Sequence, residues 1–90
     1  MMSQEQFIDE PVTTQARFLP DGRVRPTAFV WRGQTRYVTG LGRRWTEEEQ
    51  GTHWQCFLAQ TASGDTVELR WNMDSQQWRL RRAWWRSVMT

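Results

Sequence analysis

The sequence predicts an all-β fold, a single small antiparallel meander of five or six strands, curled as a roll or partly open barrel. Three observations lead there. Apolar residues recur at every second position through most of the chain, the period of a strand with one buried face. Glycine- and proline-bearing turn signals separate these runs. The chain has 90 residues, a length that suits one domain and buries only about 60–65 % of the surface exposed when unfolded. That leaves room for one two-layer core and no deep substrate cavity. The domain is expected over 7–86, with 1–6 and 87–90 as loose ends that have little to bury.

In chain order, Val12, Thr14, Ala16 and Phe18 alternate, so Pro11 to Leu19 reads as a strand. Pro20-Asp21-Gly22 is a turn signal. Thr27 to Arg32 is a strand with Phe29 and Trp31 on one side and Ala28 and Val30 on the other. Gly33-Gln34 reads as a tight turn, after which Thr35 to Leu41 returns. Gly40 and Gly42 suggest a bulge or sharp bend, and Trp45 ends the segment. Thr46-Glu47-Glu48-Glu49 has the spacing of a capping box, but Gly51 stops it within a turn. The expectation is a solvated acidic loop or a single helical turn.

The second half allows the register to be counted. His53 to Thr61 sets Trp54, Cys56 and Leu58 on one face, and Thr66 to Trp71 sets Val67, Leu69 and Trp71 on one face. With Ser63-Gly64 as a two-residue loop, Thr61 faces Thr66, Leu58 faces Leu69 and Cys56 faces Trp71. A one-residue slip would move these apolar groups to the opposite face. Beyond Met73-Asp74-Ser75-Gln76, Asn72 opposite Gln77 makes Trp71 face Trp78 and Leu69 face Leu80. Glu68 then falls opposite Arg81. Arg70 falls opposite Arg79, a like-charge pair that is unfavourable in water and hints that the arginine face meets something else. A helix through Leu80, Trp84 and Val88 is the competing reading of the tail. A strand to about Trp85 is preferred because the hairpin supplies its partner.

Composition excludes several classes. The 12 basic residues are all arginine and stand against 10 acidic ones, for a mild net charge of +2. Cys56 is the only cysteine, so no intramolecular disulfide is available, and a small secreted domain would ordinarily use one. Met1 to Glu10 is polar and acidic, without the basic region and apolar run of a leader. The longest apolar stretches, Ala28 to Trp31 and Cys56 to Ala59, fall far short of the roughly 20 residues of a membrane span. A cytoplasmic protein without membrane contact is expected. His53 lies three residues from Cys56, on the opposite face of a strand, which disfavours a Cys-His dyad. A structural zinc site needs four ligands of these kinds. Glu47, Glu48 and Glu49 lack the alternating spacing of a calcium loop, and the glycines form no phosphate-cradling motif. No catalytic residue, metal or cofactor is expected.

The unusual segment is Trp78-Arg79-Leu80-Arg81-Arg82-Ala83-Trp84-Trp85-Arg86, in a chain with 7 tryptophans. Guanidinium groups meet phosphates and indole faces stack on unpaired bases. Arg79, Arg81, Arg82, Trp84, Trp85 and Arg86 are therefore the expected contacts for single-stranded nucleic acid. The same tryptophans would serve as hot-spot anchors for a protein partner, to which an unpaired strand edge could add a strand, or for a homodimer. A plainer alternative sets Trp78 and Leu80 in the core, with arginines lying over exposed indoles.

The landmarks also follow a familiar order. Ala28-Phe29-Val30-Trp31-Arg32-Gly33 precedes Tyr37-Val38, a single Trp45 and an acidic loop. Two strands joined through Ser63-Gly64-Asp65 come next, then a closing Gln77-Trp78-Arg79-Leu80 strand that ends in aromatics. Over about Arg25 to Trp85 this resembles a small bacterial domain family of unknown function. It is similar to the C-terminal tail of the Y-family-polymerase-like subunit of a bacterial mutagenic repair complex. Cys56, His53 and the very basic ending are not part of that pattern. The resemblance implies a binding module linked to DNA damage tolerance, and it transfers no catalytic residue.

Overall fold

The computed structural model describes residues 4–86. They form six strands, β1 (Gln4–Phe18), β2 (Val24–Trp31), β3 (Gln34–Glu49), β4 (Thr52–Thr61), β5 (Thr66–Asn72) and β6 (Trp78–Trp85). Each strand pairs antiparallel with its neighbour in the chain, and β1 pairs with β6, so the meander closes into a ring. The closure is irregular: the pairing register shifts in the β1–β2, β1–β6, β3–β4 and β5–β6 ladders. Of the expected loose ends, 1–3 and 87–90 lie outside the described residues. Gln4 to Gln6 already belong to β1, paired with Trp85 to Ala83.

Two turns depart from the expected positions. The β2–β3 turn is Arg32-Gly33, one residue earlier than expected, with φ of 51° and 76°. Positive φ at both central residues is the hairpin turn whose twist suits flanking strands. The β4–β5 loop has three residues, Ala62-Ser63-Gly64, not two. Gly64 N–H donates to Thr61 O at 2.9 Å and Thr61 N–H donates to Asp65 O at 2.9 Å. Gly64 has φ 89°, a conformation that glycine adopts without steric cost.

That extra residue changes the register. Cys56 stands opposite Arg70, Phe57 opposite Leu69 and Ala59 opposite Val67. The inward face of β4 is therefore Phe57 and Ala59. Trp54, Cys56 and Leu58 do share a face, as expected, but it is the outward one. The core inside the ring is Val24, Phe29, Trp31, Phe57, Ala59, Val67, Leu69, Trp78, Leu80 and Ala83. Phe57 stacks on Trp78 at 5.7 Å between ring centroids.

The β5–β6 pairing follows the expected count at Trp71–Trp78, Arg70–Arg79 and Leu69–Leu80, then shifts between Glu68 and Leu69, so Glu68 pairs with Arg82 and not with Arg81. The acidic segment is not a loop or a helical turn. Thr46 to Glu49 is the end of β3, paired residue for residue with Gln55 to Thr52. Register shifts at Val38–Gly40 and Leu41–Arg44 interrupt the alternation there, which hides the strand period from a sequence reading.

Phe57 is 1 % exposed and Phe18 is 66 % exposed. Phe57→Ala is expected to cost about 3–5 kcal/mol, the usual range for emptying an aromatic core site. Phe18→Ala, which loses only an edge contact to Trp71, is expected to cost about 1 kcal/mol or less. Urea denaturation of both variants checks this.

Candidate functional site

The arginines of β6 are neutralised by carboxylates that reach them from three other strands. Asp9 sits in the β1 register shift with φ 52°. There Arg79 Nε donates to Asp9 Oδ1 at 2.9 Å and Arg79 Nη2 to Asp9 O at 2.6 Å. Arg82 Nη1 donates to Glu5 Oε2 at 3.1 Å, and its Nε lies 3.1 Å from Glu68 Oε1. Arg81 lies between Glu47 and Glu68, at 3.7 and 3.9 Å. Arg70 of β5, 4 % exposed, donates from Nη2 to Glu49 Oε1 at 3.0 Å. Its guanidinium lies 4.0 Å from the centroid of the Trp54 ring. The facing Arg70 and Arg79 thus meet carboxylates, which answers the like-charge conflict seen in the sequence.

These groups form a second layer on the outward face of β3 to β6. Cys56 is fully buried in it, and its sulfur and one oxygen each of Glu47 and Glu68 lie within 4.8 Å of one another. Burial, followed by the charges of Glu47 and Glu68, pushes the Cys56 thiol up to about 12. It stays protonated and inert as a nucleophile at neutral pH. Arg70 lies 3.8 Å from Glu47, and Arg81 3.7 Å from Glu47 and 3.9 Å from Glu68, so the carboxylates of this trio already face guanidinium groups.

The tryptophans of β6 divide between faces. Trp85 points inward and stacks on Trp31 at 5.2 Å, with 16° between planes, and its Nε1 donates to Gln6 Oε1 at 2.7 Å. Arg36 lies over the Trp85 ring at 4.9 Å and pairs with Asp65 at 3.5 Å. Glu10 accepts from Trp31 Nε1 at 2.8 Å and from Arg32 at 3.1 Å. These bonds, the indole's first, hold its carboxyl below the ordinary carboxylate range. This end of the ring is plugged. Trp84, on the outward face, is half-buried, while Arg86 is exposed and its backbone N–H donates to Asp65 Oδ1 at 2.7 Å. Of the six expected contact residues, only Trp84 and Arg86 remain without a side-chain partner among the described residues.

The other exposed arginines without a carboxylate partner lie elsewhere. Arg17, Arg25, Arg43 and Arg44 are exposed, and no carboxylate of the described residues lies within 4.0 Å of any of them. Arg17 and Arg25 stand directly opposite each other on β1 and β2. The same outward face carries the Gln15–Ala28–Tyr37 row and the Thr13–Val30–Thr35 row. Tyr37 is 62 % exposed on it. Arg43 follows on β3, 5.0 Å from the Trp45 ring centroid, whereas Arg44 stands opposite Phe57, with its guanidinium 5.9 Å from that ring's centroid, on the side of the sheet that faces the core. Sequence reading missed this surface because its residues are dispersed; counting the β1–β2 register would have put Arg17 opposite Arg25. An edge for strand addition exists where β3 runs past Tyr37, its last pairing with β2. Two register shifts and two exposed arginines interrupt that edge, the devices that guard edges against pairing.

Burial raises the Glu68 carboxyl above its ordinary value of 4.5, against the opposing pull of Arg82 and Arg81. The folded state therefore binds this proton more tightly than the unfolded chain. The associated stability is full below pH 4.5 and is lost as pH rises through the raised value. The stability of the native protein minus that of Glu68→Gln is expected to fall between acid and neutral pH, measured by urea denaturation. A difference that grows with pH would contradict the account. Comparisons with protein-family models, with curated proteins and with solved structures find no match to this chain, so the reading of the site rests on its own geometry.

Proposed function

We propose that the protein is a non-catalytic module that binds single-stranded nucleic acid through the outward face of β1, β2 and β3. The carrying observation is the Arg17–Arg25 pair, two exposed cations directly opposite each other with no counter-charge among the described residues. Like charges in that position repel, and a phosphate spanning them would relieve the repulsion. Tyr37 offers an exposed ring on the same face for a base to stack on. Arg43, beside the Trp45 ring, extends the positive surface along β3. Because eight of the carboxylates are committed to arginines elsewhere, the modest net charge of +2 understates the local field here. Arg79, Arg81 and Arg82 serve to hold β6 in this reading. A setting in DNA repair fits the likeness of the landmarks to a repair-complex tail domain.

A fluorescent oligothymidylate titrated at several salt concentrations tests this by anisotropy. With three phosphate contacts, the logarithm of affinity is expected to fall with the logarithm of salt at a slope of about −2. Arg17→Glu with Arg25→Glu is expected to weaken binding about tenfold or more, and Tyr37→Ala to cost about 1–3 kcal/mol. Trp84→Ala is expected to leave affinity unchanged. No binding at low salt, or binding indifferent to the Arg17 and Arg25 changes, would overturn the proposal.

A further inference from the structure

The two ends of the ring differ. One is closed by the stacked Trp31 and Trp85 rings, with Arg36 over Trp85 and paired with Asp65. Toward the opposite end, aromatic rings run from the core out to solvent. Phe57 meets Trp78 at 5.7 Å between centroids, Trp78 meets Trp71 at 6.1 Å and Trp71 meets Phe18 at 6.0 Å. Phe57 is buried and Trp71 half-buried. Phe18, last in the row, is the most exposed large apolar side chain among the described residues. It is nevertheless held in place. Phe18 pairs with Val24 across the β1–β2 hairpin, and the Leu19 N–H donates to Arg23 O at 2.7 Å to close the turn beyond it. Trp71 meets its ring edge-on, at 67° between planes.

A single exposed apolar residue needs no function to explain it. Phe18 is set apart by its chain neighbour Arg17, which stands opposite Arg25 in a cation pair without a carboxylate partner among the described residues. An exposed ring beside uncompensated guanidinium groups joins the two parts of a single-strand platform, a phosphate contact and a stacking surface. The two parts point to opposite sides of β1, since side chains alternate along a strand. The edge between them is open: pairing of β1 with β6 ends at Val12 and Trp78, so β6 does not cover Thr13 to Phe18. We propose that Phe18 is a second nucleobase site, reached where the bound strand passes Arg17 and Arg25 and turns round this edge of β1. The inference rests on the nucleic-acid reading above and adds a path to it, from Tyr37 through the arginine pair to Phe18. Tyr37 lies in the row of Gln15 and Ala28, so it is two strands across and three residues along from Phe18. That is roughly 10 Å in each direction, too far for one base to stack on both rings, so the two sites take different bases. Stacking on Phe18 carries no sequence preference, because every base has a π-face.

The test is photo-crosslinking of the native protein to an oligothymidylate that carries 5-iodouracil at one position at a time, with the crosslinked peptides identified by mass spectrometry. Crosslinks at both Tyr37 and Phe18 are expected, from different positions of the oligonucleotide. Affinity is read alongside by anisotropy. Phe18→Leu, which stays apolar but has no π-face, is expected to weaken binding about fivefold to a hundredfold, and Phe18→Tyr to retain the native affinity. Crosslinking at Tyr37 without Phe18, or native affinity in Phe18→Leu, would overturn the second site and leave the β1–β2–β3 surface standing. An oligothymidylate that does not bind the native protein at low salt would overturn both.

Discussion

The loop Ala62-Ser63-Gly64 decides which side chains of the C-terminal half meet the core. Its three residues, closed by the two hydrogen bonds between Thr61 and its partners Gly64 and Asp65, set Phe57 against Leu69 and Ala59 against Val67. Those four belong to the core, with Trp78, Leu80 and Ala83 of β6 and Val24, Phe29 and Trp31 of β2. The same parity sends Trp54, Cys56, Glu68 and Arg70 outward together. Side-chain direction alternates strictly along a strand, so a loop shorter by one residue would exchange the two sets on β4 relative to β5.

The outward set is stable only because other strands bring opposite charge to it. β3 runs on to Glu49 and delivers Glu47 and Glu49 to Arg70 and Arg81. The β1 register shift turns Asp9 toward Arg79. Buried ion pairs of this kind add little net stability, since desolvation offsets most of the attraction, but removing one partner is costly. Their effect is on specificity: the strands in this register leave no charge of the layer isolated. The consequence for function is a redistribution of field. In the segment richest in arginine, Arg79, Arg81 and Arg82 face carboxylates and Arg86 alone has none among the described residues, while Arg17, Arg25 and Arg43 expose positive charge on β1, β2 and β3.

How much of this could be read from the sequence depended on how local each interaction is. The all-β meander, the strand reading of Trp78 to Trp85 and the Trp71–Trp78 and Leu69–Leu80 pairs rest on alternation and short turns, and all are present. The β4–β5 register failed by one residue because Ser63-Gly64 suits a two-residue loop as well as the end of a three-residue one. Glu47 to Glu49 resembled a loop because the register shifts near Gly40 and Arg43 break the period that would have marked a strand. Arg79, Arg81 and Arg82 stood out correctly as unusual, but their partners Asp9, Glu5 and Glu47 lie more than thirty residues away in sequence and are set beside them only by ring closure and bulges. The Arg17–Arg25 pair is local, since the Pro20-Asp21-Gly22 turn closed by Leu19 and Arg23 sets its register; Tyr37 and Arg43 join it only through the pairing of β3 with β2 and the bulges of β3.

Cross-strand nuclear Overhauser effects between β4 and β5 test the central constraint most directly, since they read the register without reference to function. Backbone contacts are expected to pair Cys56 with Arg70 and Phe57 with Leu69. Contacts that pair Cys56 with Trp71 and Leu58 with Leu69 would contradict the account, because Arg70 would then lie on the same side of the sheet as Phe57, and the neutralisation of the β6 arginines would lose its basis.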